Sequence, residues 1–182
     1  MSKKSSLVWM DLEMTGLDPN NDTILEIATI VTDIDLEIIE IGPEHAIYQS
    51  NTIIKNMNEW CQVQHNKSGL VDRVRKSKVD LKKAEQITLD FIRKYVNEGE
   101  APLCGNSIHQ DRNFLKVHMP ELENYLHYRN IDISSIKELF FRWYPELPGF
   151  VKKGNHTALD DIKESINELK FYRESIFIPN VP

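Results

Sequence analysis

Two carboxylates stand two residues apart inside the apolar run from Leu7 to Met14. The run is typical of a β-strand, in which residues i and i+2 share a face, so Asp11 and Glu13 would both point the same way as Trp9. Like charges this close repel each other, and burying even a neutral polar group without a partner costs roughly 2–7 kcal/mol. A divalent cation would remove both costs, whereas an exposed strand end would leave the pair merely solvated. The motif alone favours neither explanation.

The charge balance argues against one class of function. The 182 residues suit a single domain, which we expect to span residues 7–174 between terminal tails at 1–6 and 175–182. The net charge of −6 disfavours a broad basic surface for long duplex DNA, because such binding depends on many phosphate contacts. A small phosphate-containing ligand held by metal ions and a few donors remains compatible with this charge.

Cysteine usage and hydropathy indicate a compartment. Cys61 and Cys104 are too few for a disulfide framework and form no zinc-type cluster, which favours free thiols in a reducing environment. No stretch approaches the roughly 20 apolar residues of a membrane span. The N-terminal apolar run is interrupted at Asp11, too early for a signal peptide. We therefore expect a soluble cytoplasmic protein with no membrane partner.

The pattern of apolar residues predicts strands first and alternating strands and helices afterwards. The early strands are expected at Leu7–Glu13, Ile24–Thr32 and Leu36–Ile41 with Ala46–Gln49, and their short connections favour an antiparallel meander. Later strands are expected at Ala101–Cys104 and Asn130–Ile133. Helices are expected at Met57–His65, Val79–Val96, His109–His118, from a capping box at Ser135 and Glu138 to about Trp143, and from about His156 to Arg173. This order predicts an α/β fold, a mixed sheet flanked by helices.

A third acid lies on the apolar stripe of a predicted helix. Asp111 shares a helical face with Phe114, Leu115 and His118, at i+3, i+4 and i+7. It could instead cap its helix, or pair with Arg112 or with a cationic residue distant in sequence. Taken alone, the spacing does not separate these interpretations.

The last helix brings two further acids. Asp160 and Asp161 are adjacent, so a helix points them about 100° apart. Asp161 lies three residues after Ala158, a small residue that would allow a close approach to the sheet, whereas Asp160 fits a solvated acid in the first turn. His156 lies at the junction of loop and helix, where it could either reach a cleft or serve a structural role.

Together, three separated segments each offer an acid on a predicted inner face. Oxygen ligands without cysteine indicate hard cations, Mg²⁺ or Mn²⁺. Two such ions about 3.5–4 Å apart can hold the attacking and leaving oxygens of a phosphodiester in line. His156, with an ordinary pKa near 6.5, could then accept the proton of the attacking water.

The spacing Asp11-x-Glu13, Asp111 and His156-x₄-Asp161 resembles the DEDDh family of 3′→5′ exonucleases, which has a ribonuclease H-like fold with three antiparallel strands and two further strands. The stretches at 9–17, 104–108, 128–132 and 158–162 resemble the oligoribonucleases within it. The resemblance implies that Asp11 bridges two divalent cations, that Glu13 and Asp161 complete one site and that Asp111 supports the pair. It also implies that His156 is the general base, and it favours Asp161 over Asp160.

The resemblance further implies a substrate and a partner. Oligoribonucleases trim very short RNAs, down to dinucleotides, to 5′-mononucleotides and work as homodimers. The residues that match their substrate-binding positions are Leu17 and Trp60 beside the bases, and His65, Ser107, Arg129 and Ser134 at the phosphate end. Tyr128 would reach into the active site of the partner subunit. Leu17 could equally be a loop residue, Trp60 a core residue and Tyr128 a surface aromatic.

Two other functions remain open at this point. One is a proofreading-type DNA exonuclease of the same family, which the segments Cys104–Ser107 and Tyr128–Asn130 disfavour. The other is a non-catalytic nucleic-acid binding module on the same fold. Such modules usually lose ligand acids, whereas this chain keeps all four.

Overall fold

A five-stranded mixed sheet forms the centre of the computed structural model, which describes residues 6–152 and 157–178. The strands β1 (Ser6–Met14), β2 (Ile24–Asp33) and β3 (Ile38–Ala46) pair antiparallel. On the other side of β1, β4 (Pro102–Gly105) and then β5 (His127–Asp132) add in parallel, so the spatial order is β3-β2-β1-β4-β5. This arrangement confirms the predicted mixed sheet of three antiparallel strands and two further strands.

The helices pack on both sides of this sheet. Within the described residues they are α1 (Asn51–Asn56), α2 (Glu59–Lys67), α3 (Leu70–Lys76), α4 (Leu81–Ile92), α5 (His109–His118), α6 (Pro120–Tyr125), α7 (Ile133–Trp143) and α8 (Ala158–Ile176). The helix predicted at His109–His118 is confirmed with these bounds as α5. No helix in the described part of the chain is long and apolar enough to cross a membrane.

Several predicted boundaries were wrong, for local reasons. The helix expected at Met57–His65 is α2, preceded by the separate α1, because the side chain of Asn58 accepts the backbone N–H of Cys61 at 2.8 Å and starts a new helix. The short helices α3 and α6 were not predicted. The third strand is one continuous element, β3, rather than two pieces.

The predicted capping box at Ser135 was also wrong. The N-cap of α7 is Asp132, whose side chain accepts the backbone N–H of Ser134 at 2.9 Å. Asp132 is also the last residue of β5, so strand and helix follow each other without a loop. Ser135 therefore already lies inside the helix.

Alternation along β1 decides where its acids point. Val8, Met10 and Leu12 pack into the core that α4, α5 and α6 cover, whereas Trp9 packs into the core on the other face, beneath α7 and α8. Asp11 and Glu13 continue the face of Trp9. The two carboxylates therefore lie on the face that α8 covers.

Arg112 ties α5 to β5. Its buried guanidinium donates to the carbonyl oxygens of His127, at 2.6 Å, and of Tyr128, and it lies 3.7 Å from a carboxylate oxygen of Glu123. Arg112 therefore holds the strand that carries Tyr128, rather than pairing with Asp111. Both buried cysteines, Cys61 and Cys104, are free thiols, as predicted.

We expect Arg112→Met to lower the free energy of unfolding by about 2–4 kcal/mol, because hydrogen bonds from a charged donor contribute roughly 1.5–3 kcal/mol each. Urea denaturation followed by circular dichroism measures this. Arg75→Met is the matched control: Arg75 forms a surface ion pair with Asp72 at 3.7 Å and should change stability by no more than about 0.5 kcal/mol. Equal effects for the two variants would contradict the anchoring role.

Candidate active site

Three parallel strands have their carboxyl ends at the same end of the sheet, and the candidate site lies there. Because β1, β4 and β5 run in the same direction, Glu13, the segment after Gly105 and Asp132 all lie at that end of the sheet. The first turn of α8 packs against the same face of β1 and brings Asp161. Residues that are far apart in sequence therefore meet at this edge.

Three of the four predicted metal ligands form a close group. One carboxylate oxygen each from Asp11, Glu13 and Asp161 lies within 4.8 Å of the other two. Asp160 points elsewhere, with Oδ1 3.7 Å from the ammonium of Lys163. The structure thus brings Asp161 rather than Asp160 to the strand acids.

Asp111 lies beside this group without being one of its three members among the described residues. Its side chain is buried, and Oδ1 accepts the backbone N–H of Leu12 at 2.9 Å. Leu12 stands between Asp11 and Glu13, so this hydrogen bond fixes the start of α5 against the part of β1 that carries both acids. His156, the predicted base, lies outside the described residues.

The raised pKa values of these acids show that holding their charged forms close together in a buried place is unfavourable. Burial, followed by the charges of Asp111 and Glu13, raises the pKa of Asp11 well above its usual range. Burial raises the pKa of Glu13 to about 7, with Glu26 the next contributor, and burial also raises the pKa of Asp111 to about 7. A divalent cation would reverse these shifts, since it favours the ionised carboxylates. The donor set, carboxylate oxygens alone, fits Mg²⁺ or Mn²⁺.

These shifts predict how stability depends on pH. A carboxyl whose pKa is higher in the folded protein than in the unfolded chain stabilises the fold fully below about pH 4, and this contribution is lost as the pH rises through 7. The melting temperature of EDTA-treated protein should therefore rise as the pH falls from 7.5 to 5.5. Mn²⁺ should raise it more at pH 7.5 than at pH 5.5. Differential scanning fluorimetry measures both.

Glu13→Gln provides the control for this pH dependence. The variant cannot titrate at position 13, so the wild type should lose more stability than the variant does between pH 5.5 and pH 7.5 in EDTA. A difference between the two proteins that does not change with pH would contradict the assignment to Glu13.

An ion pair that the sequence did not predict, between a buried carboxylate and a partly exposed guanidinium, lies next to Glu13. Glu26 on β2 stands directly opposite Glu13, and its Oε1 accepts from Nη2 of Arg73 on α3 at 2.6 Å. Arg73 lowers the pKa of Glu13, against the larger effects of burial and neighbouring acids. Glu26 is the one acid inside the apolar stretch from Ile24 to Val31, and that signal was available in the sequence.

His65 is a further neighbour of Glu13. Its Nε2 donates to the carbonyl oxygen of Met14 at 2.9 Å, and its Nδ1 lies 3.8 Å from Oε2 of Glu13. Burial lowers the pKa of His65. The ring is therefore held in one orientation, with Nδ1 towards the acid group.

A cleft of about 330 Å³ opens beside the acids. It is lined by Glu13, Trp60, Gln64, His65, Lys67 and Ser68. Trp60 is 68% exposed, which excludes the alternative of a core residue. An exposed indole beside a carboxylate group is a surface on which a base can stack.

The turn after β1 presents Leu17 to solvent, with 72% of the residue exposed. Asp22 closes this turn by accepting from the hydroxyl of Thr15 at 2.9 Å and from the backbone N–H of Asp18 at 3.1 Å. A Cβ atom at Gly16 would lie 2.3 Å from the Asp22 carboxylate, so a side chain there would displace the group that closes the turn. Leu17 is thus held out on a short and well-braced turn.

The two predicted phosphate-binding serines contact each other at the ends of β4 and β5. The backbone N–H of Ser107 donates to Oγ of Ser134 and to Oδ1 of Asp132, both at 3.0 Å. Ser107 has a φ of +49°, which is uncommon for a residue other than glycine. Arg129 and Tyr128 are exposed on β5, with the guanidinium 5.2 Å from the ring centre. His65 lies apart from this pair, beside Glu13.

Comparison with known proteins finds one family along most of the chain. Residues 8–169 match the exonuclease family RNase_T. The oligoribonuclease of Pseudoalteromonas atlantica is 60% identical over 173 residues, 94% of this chain and 96% of that protein. The oligoribonuclease of Haemophilus ducreyi is 57% identical over 169 residues, 92% of each chain.

Among solved structures, an exonuclease I from Methylocaldum szegediense superposes with a TM-score of 0.68 at 17% identity, covering 94% of this chain and 41% of that one. This chain thus spans about two fifths of that exonuclease I. The likeness concerns the fold, and it confirms the predicted ribonuclease H-like class.

Proposed function

This chain belongs to the RNase_T exonuclease family and, within it, to the oligoribonucleases, and from that premise we propose that it is a 3′→5′ exoribonuclease that hydrolyses short oligoribonucleotides, down to dinucleotides, to 5′-mononucleotides. The observation that carries the proposal is the close group formed by Asp11, Glu13 and Asp161 beside a cleft with an exposed tryptophan. The acids supply the chemistry, and the cleft supplies room for a short strand.

The side chains have separate roles in this proposal. Asp11, Glu13 and Asp161, supported by Asp111, would hold two divalent cations, Mg²⁺ or Mn²⁺. Such ions, when bound, lower the pKa of an attacking water and offset the charge that develops on the phosphate. His156 would accept the proton of that water, because its ordinary pKa near 6.5 suits a base at neutral pH.

The substrate would be held at both ends. Leu17 would insert beside the bases and Trp60 would stack nearby, while Ser107, Arg129 and Ser134 would contact the 5′ phosphate, with His65 lining the cleft near the acids. A two-residue substrate needs few phosphate contacts, which agrees with the net charge of −6. A closed phosphate end would also disfavour longer chains.

We expect Trp60→Ala to raise KM for a diribonucleotide about 10–100-fold, because stacking on an aromatic ring contributes roughly 1–3 kcal/mol per base. The melting temperature should change little, since the side chain is exposed. Val63→Ala, a truncation at a residue on the same helix that is 58% exposed, should leave KM unchanged. Initial rates over a range of substrate concentrations measure both, and an unchanged KM for Trp60→Ala would exclude a stacking role.

A substrate length series tests the proposed function. RNA and DNA strands of two to about twenty nucleotides are compared in Mg²⁺, in Mn²⁺ and in EDTA. We expect the fastest hydrolysis with the diribonucleotide and none in EDTA. Faster cleavage of long DNA would instead indicate a proofreading-type exonuclease, and binding without hydrolysis would indicate a non-catalytic module.

The domain limits, the assembly and the location also belong to the proposal. We propose one exonuclease domain at residues 7–174 with tails at 1–6 and 175–182, acting in the cytoplasm as a homodimer. In that dimer Tyr128, which is 74% exposed on the edge strand β5, would reach the active site of the partner subunit. An exposed aromatic side chain on an edge strand is available for such a contact.

A further inference from the structure

A fully buried carboxylate lies in the middle of α8, away from the group of acids. Its owner, Glu168, accepts from the hydroxyl of Tyr172 at 2.9 Å through Oε1 and from Nδ2 of Asn106 at 3.2 Å through Oε2. The ammonium groups of Lys137 and Lys152 lie 3.3 and 3.5 Å from the two carboxylate oxygens. A buried charge with partners on every side is held in one place, because moving it would leave uncompensated charges.

Glu168 decides which way the amide of Asn106 faces. An ionised carboxylate only accepts hydrogen bonds, so Asn106 must turn its Nδ2 towards it. The same nitrogen donates to Oγ of Ser165 at 2.7 Å, and the Ser165 hydroxyl in turn donates to the carbonyl oxygen of Asp161 at 2.8 Å. The Oδ1 of Asn106 therefore faces the opposite side, towards the phosphate end of the site.

Asn106 in turn decides the role of Ser134. Its Oδ1 lies 3.1 Å from Oγ of Ser134 and can only accept, so the Ser134 hydroxyl must donate to it. The lone pairs of that hydroxyl then face Ser107, and they receive its backbone N–H at 3.0 Å and its hydroxyl at 3.2 Å. The hydrogen bonds therefore run in one direction: the Ser107 hydroxyl donates to Ser134, the Ser134 hydroxyl donates to Asn106, and the Asn106 amide donates to Glu168.

We propose that Glu168 and Asn106 are positioning residues for the phosphate end of the site. They commit the Ser134 hydroxyl to Asn106, while the backbone N–H of Ser107 stays bonded to Ser134 and holds Ser107 in its left-handed conformation. The Ser107 hydroxyl is then the one that can leave Ser134 and turn its proton to a 5′ phosphate. This inference rests on the proposed function, in which Ser107 and Ser134 belong to the phosphate end of the site. It adds the residues that set the direction of the hydrogen bonds.

Glu168→Gln is the sharpest variant, because it keeps the shape and removes the charge. A glutamine nitrogen on the side of the former Oε2 would meet Nδ2 of Asn106, which can only donate, and rotation of the Asn106 amide relieves this conflict. Nδ2 of Asn106 would then face Ser134, and the Ser134 hydroxyl would no longer have to donate to Asn106. We expect the preference for a 5′-phosphorylated diribonucleotide, measured as the ratio of its kcat/KM to that of the unphosphorylated one, to fall about tenfold.

The matched control is Glu174→Gln, at an exposed position of the same helix, which should keep the wild-type ratio. Equal losses of kcat/KM for both substrates in Glu168→Gln, with an unchanged ratio, would mean a merely structural role and would overturn the inference. A wild type that does not hydrolyse diribonucleotides, or does not prefer the phosphorylated one, would instead overturn the proposed function and this inference with it.

Circular dichroism and a thermal melt show whether Glu168→Gln folds. If it does not, Asn106→Ala tests the same inference. This variant leaves Glu168 with Tyr172 and both lysines, and it removes the acceptor of the Ser134 hydroxyl. The same fall in the ratio is expected. An unchanged ratio in folded Asn106→Ala would overturn the inference.

Discussion

Replacing Asp11 with asparagine is expected to lower kcat/KM for a diribonucleotide about 10³-fold or more. The amide keeps the shape but removes the charge from one member of the group that Asp11 forms with Glu13 and Asp161. A bound cation stabilises the charge of the transition state by several kcal/mol, and a loss of roughly 4 kcal/mol lowers the rate about 10³-fold. Steady-state hydrolysis in saturating Mn²⁺, followed by separation of the mononucleotide products, measures it.

Asp160→Asn is the matched control for this prediction. Asp160 lies one residue before Asp161 but points to Lys163, so its loss of charge should leave the rate near that of the wild type. EDTA should reduce the wild type to the level of Asp11→Asn, and added Mn²⁺ should restore only the wild type. Unchanged turnover in Asp11→Asn, or in EDTA, would rule out a mechanism that depends on cations.

The second large effect concerns the proposed base. His156→Ala should lower kcat about 10²–10⁴-fold, the usual contribution of general base catalysis. The loss should shrink as the pH rises, because hydroxide then competes with the missing base. A pH profile of kcat from 6 to 9.5 for both proteins measures this.

The control for His156 is His45→Ala, on the outer strand β3 at the opposite edge of the sheet from β5. This variant should keep the wild-type profile. A near-normal rate in His156→Ala would assign the removal of the proton to a different group.

The face of the strand acids could be predicted because a strand has a strict period of two. Once Trp9 is a core residue, Asp11 and Glu13 must share its side of the sheet. The structure agrees, and α8 covers that side. Spacing on a helix is less decisive: Asp160 and Asp161 differ by about 100°, and the contact of α8 with β1, a tertiary feature, brings Asp161 to the other acids.

The errors have equally local causes. The helix α1 was not predicted, and the helix expected from Met57 begins two residues later, at Glu59, because Asn58 is its N-cap. The false capping box at Ser135 arose because Asp132, which lies inside the predicted strand Asn130–Ile133, both ends β5 and caps α7. Patterns of neighbouring residues do not predict the boundary between a strand and a helix well when a single residue both ends the strand and caps the helix.

Long-range polar pairs could not be predicted from spacing. Arg73 meets Glu26 across 47 positions of sequence, and Asn106 meets Glu168 across 62. Each acid is anomalous in its own element, Glu26 in an apolar strand and Glu168 on the buried side of α8. A charge that interrupts an apolar pattern was therefore the available signal, but its partner became visible only when the chain folded.

Hydrolysis of a diribonucleotide in ¹⁸O-labelled water, with mass spectrometry of the products, tests the central claim most directly. A water that attacks the phosphorus at a cation-holding group of acids places one ¹⁸O in the phosphate of a 5′-mononucleotide and leaves a nucleoside or mononucleotide with a 3′ hydroxyl. We predict this outcome in Mn²⁺ and no product in EDTA. A 2′,3′-cyclic or 3′ phosphate, or the same labelled product in the presence of EDTA, would contradict the account.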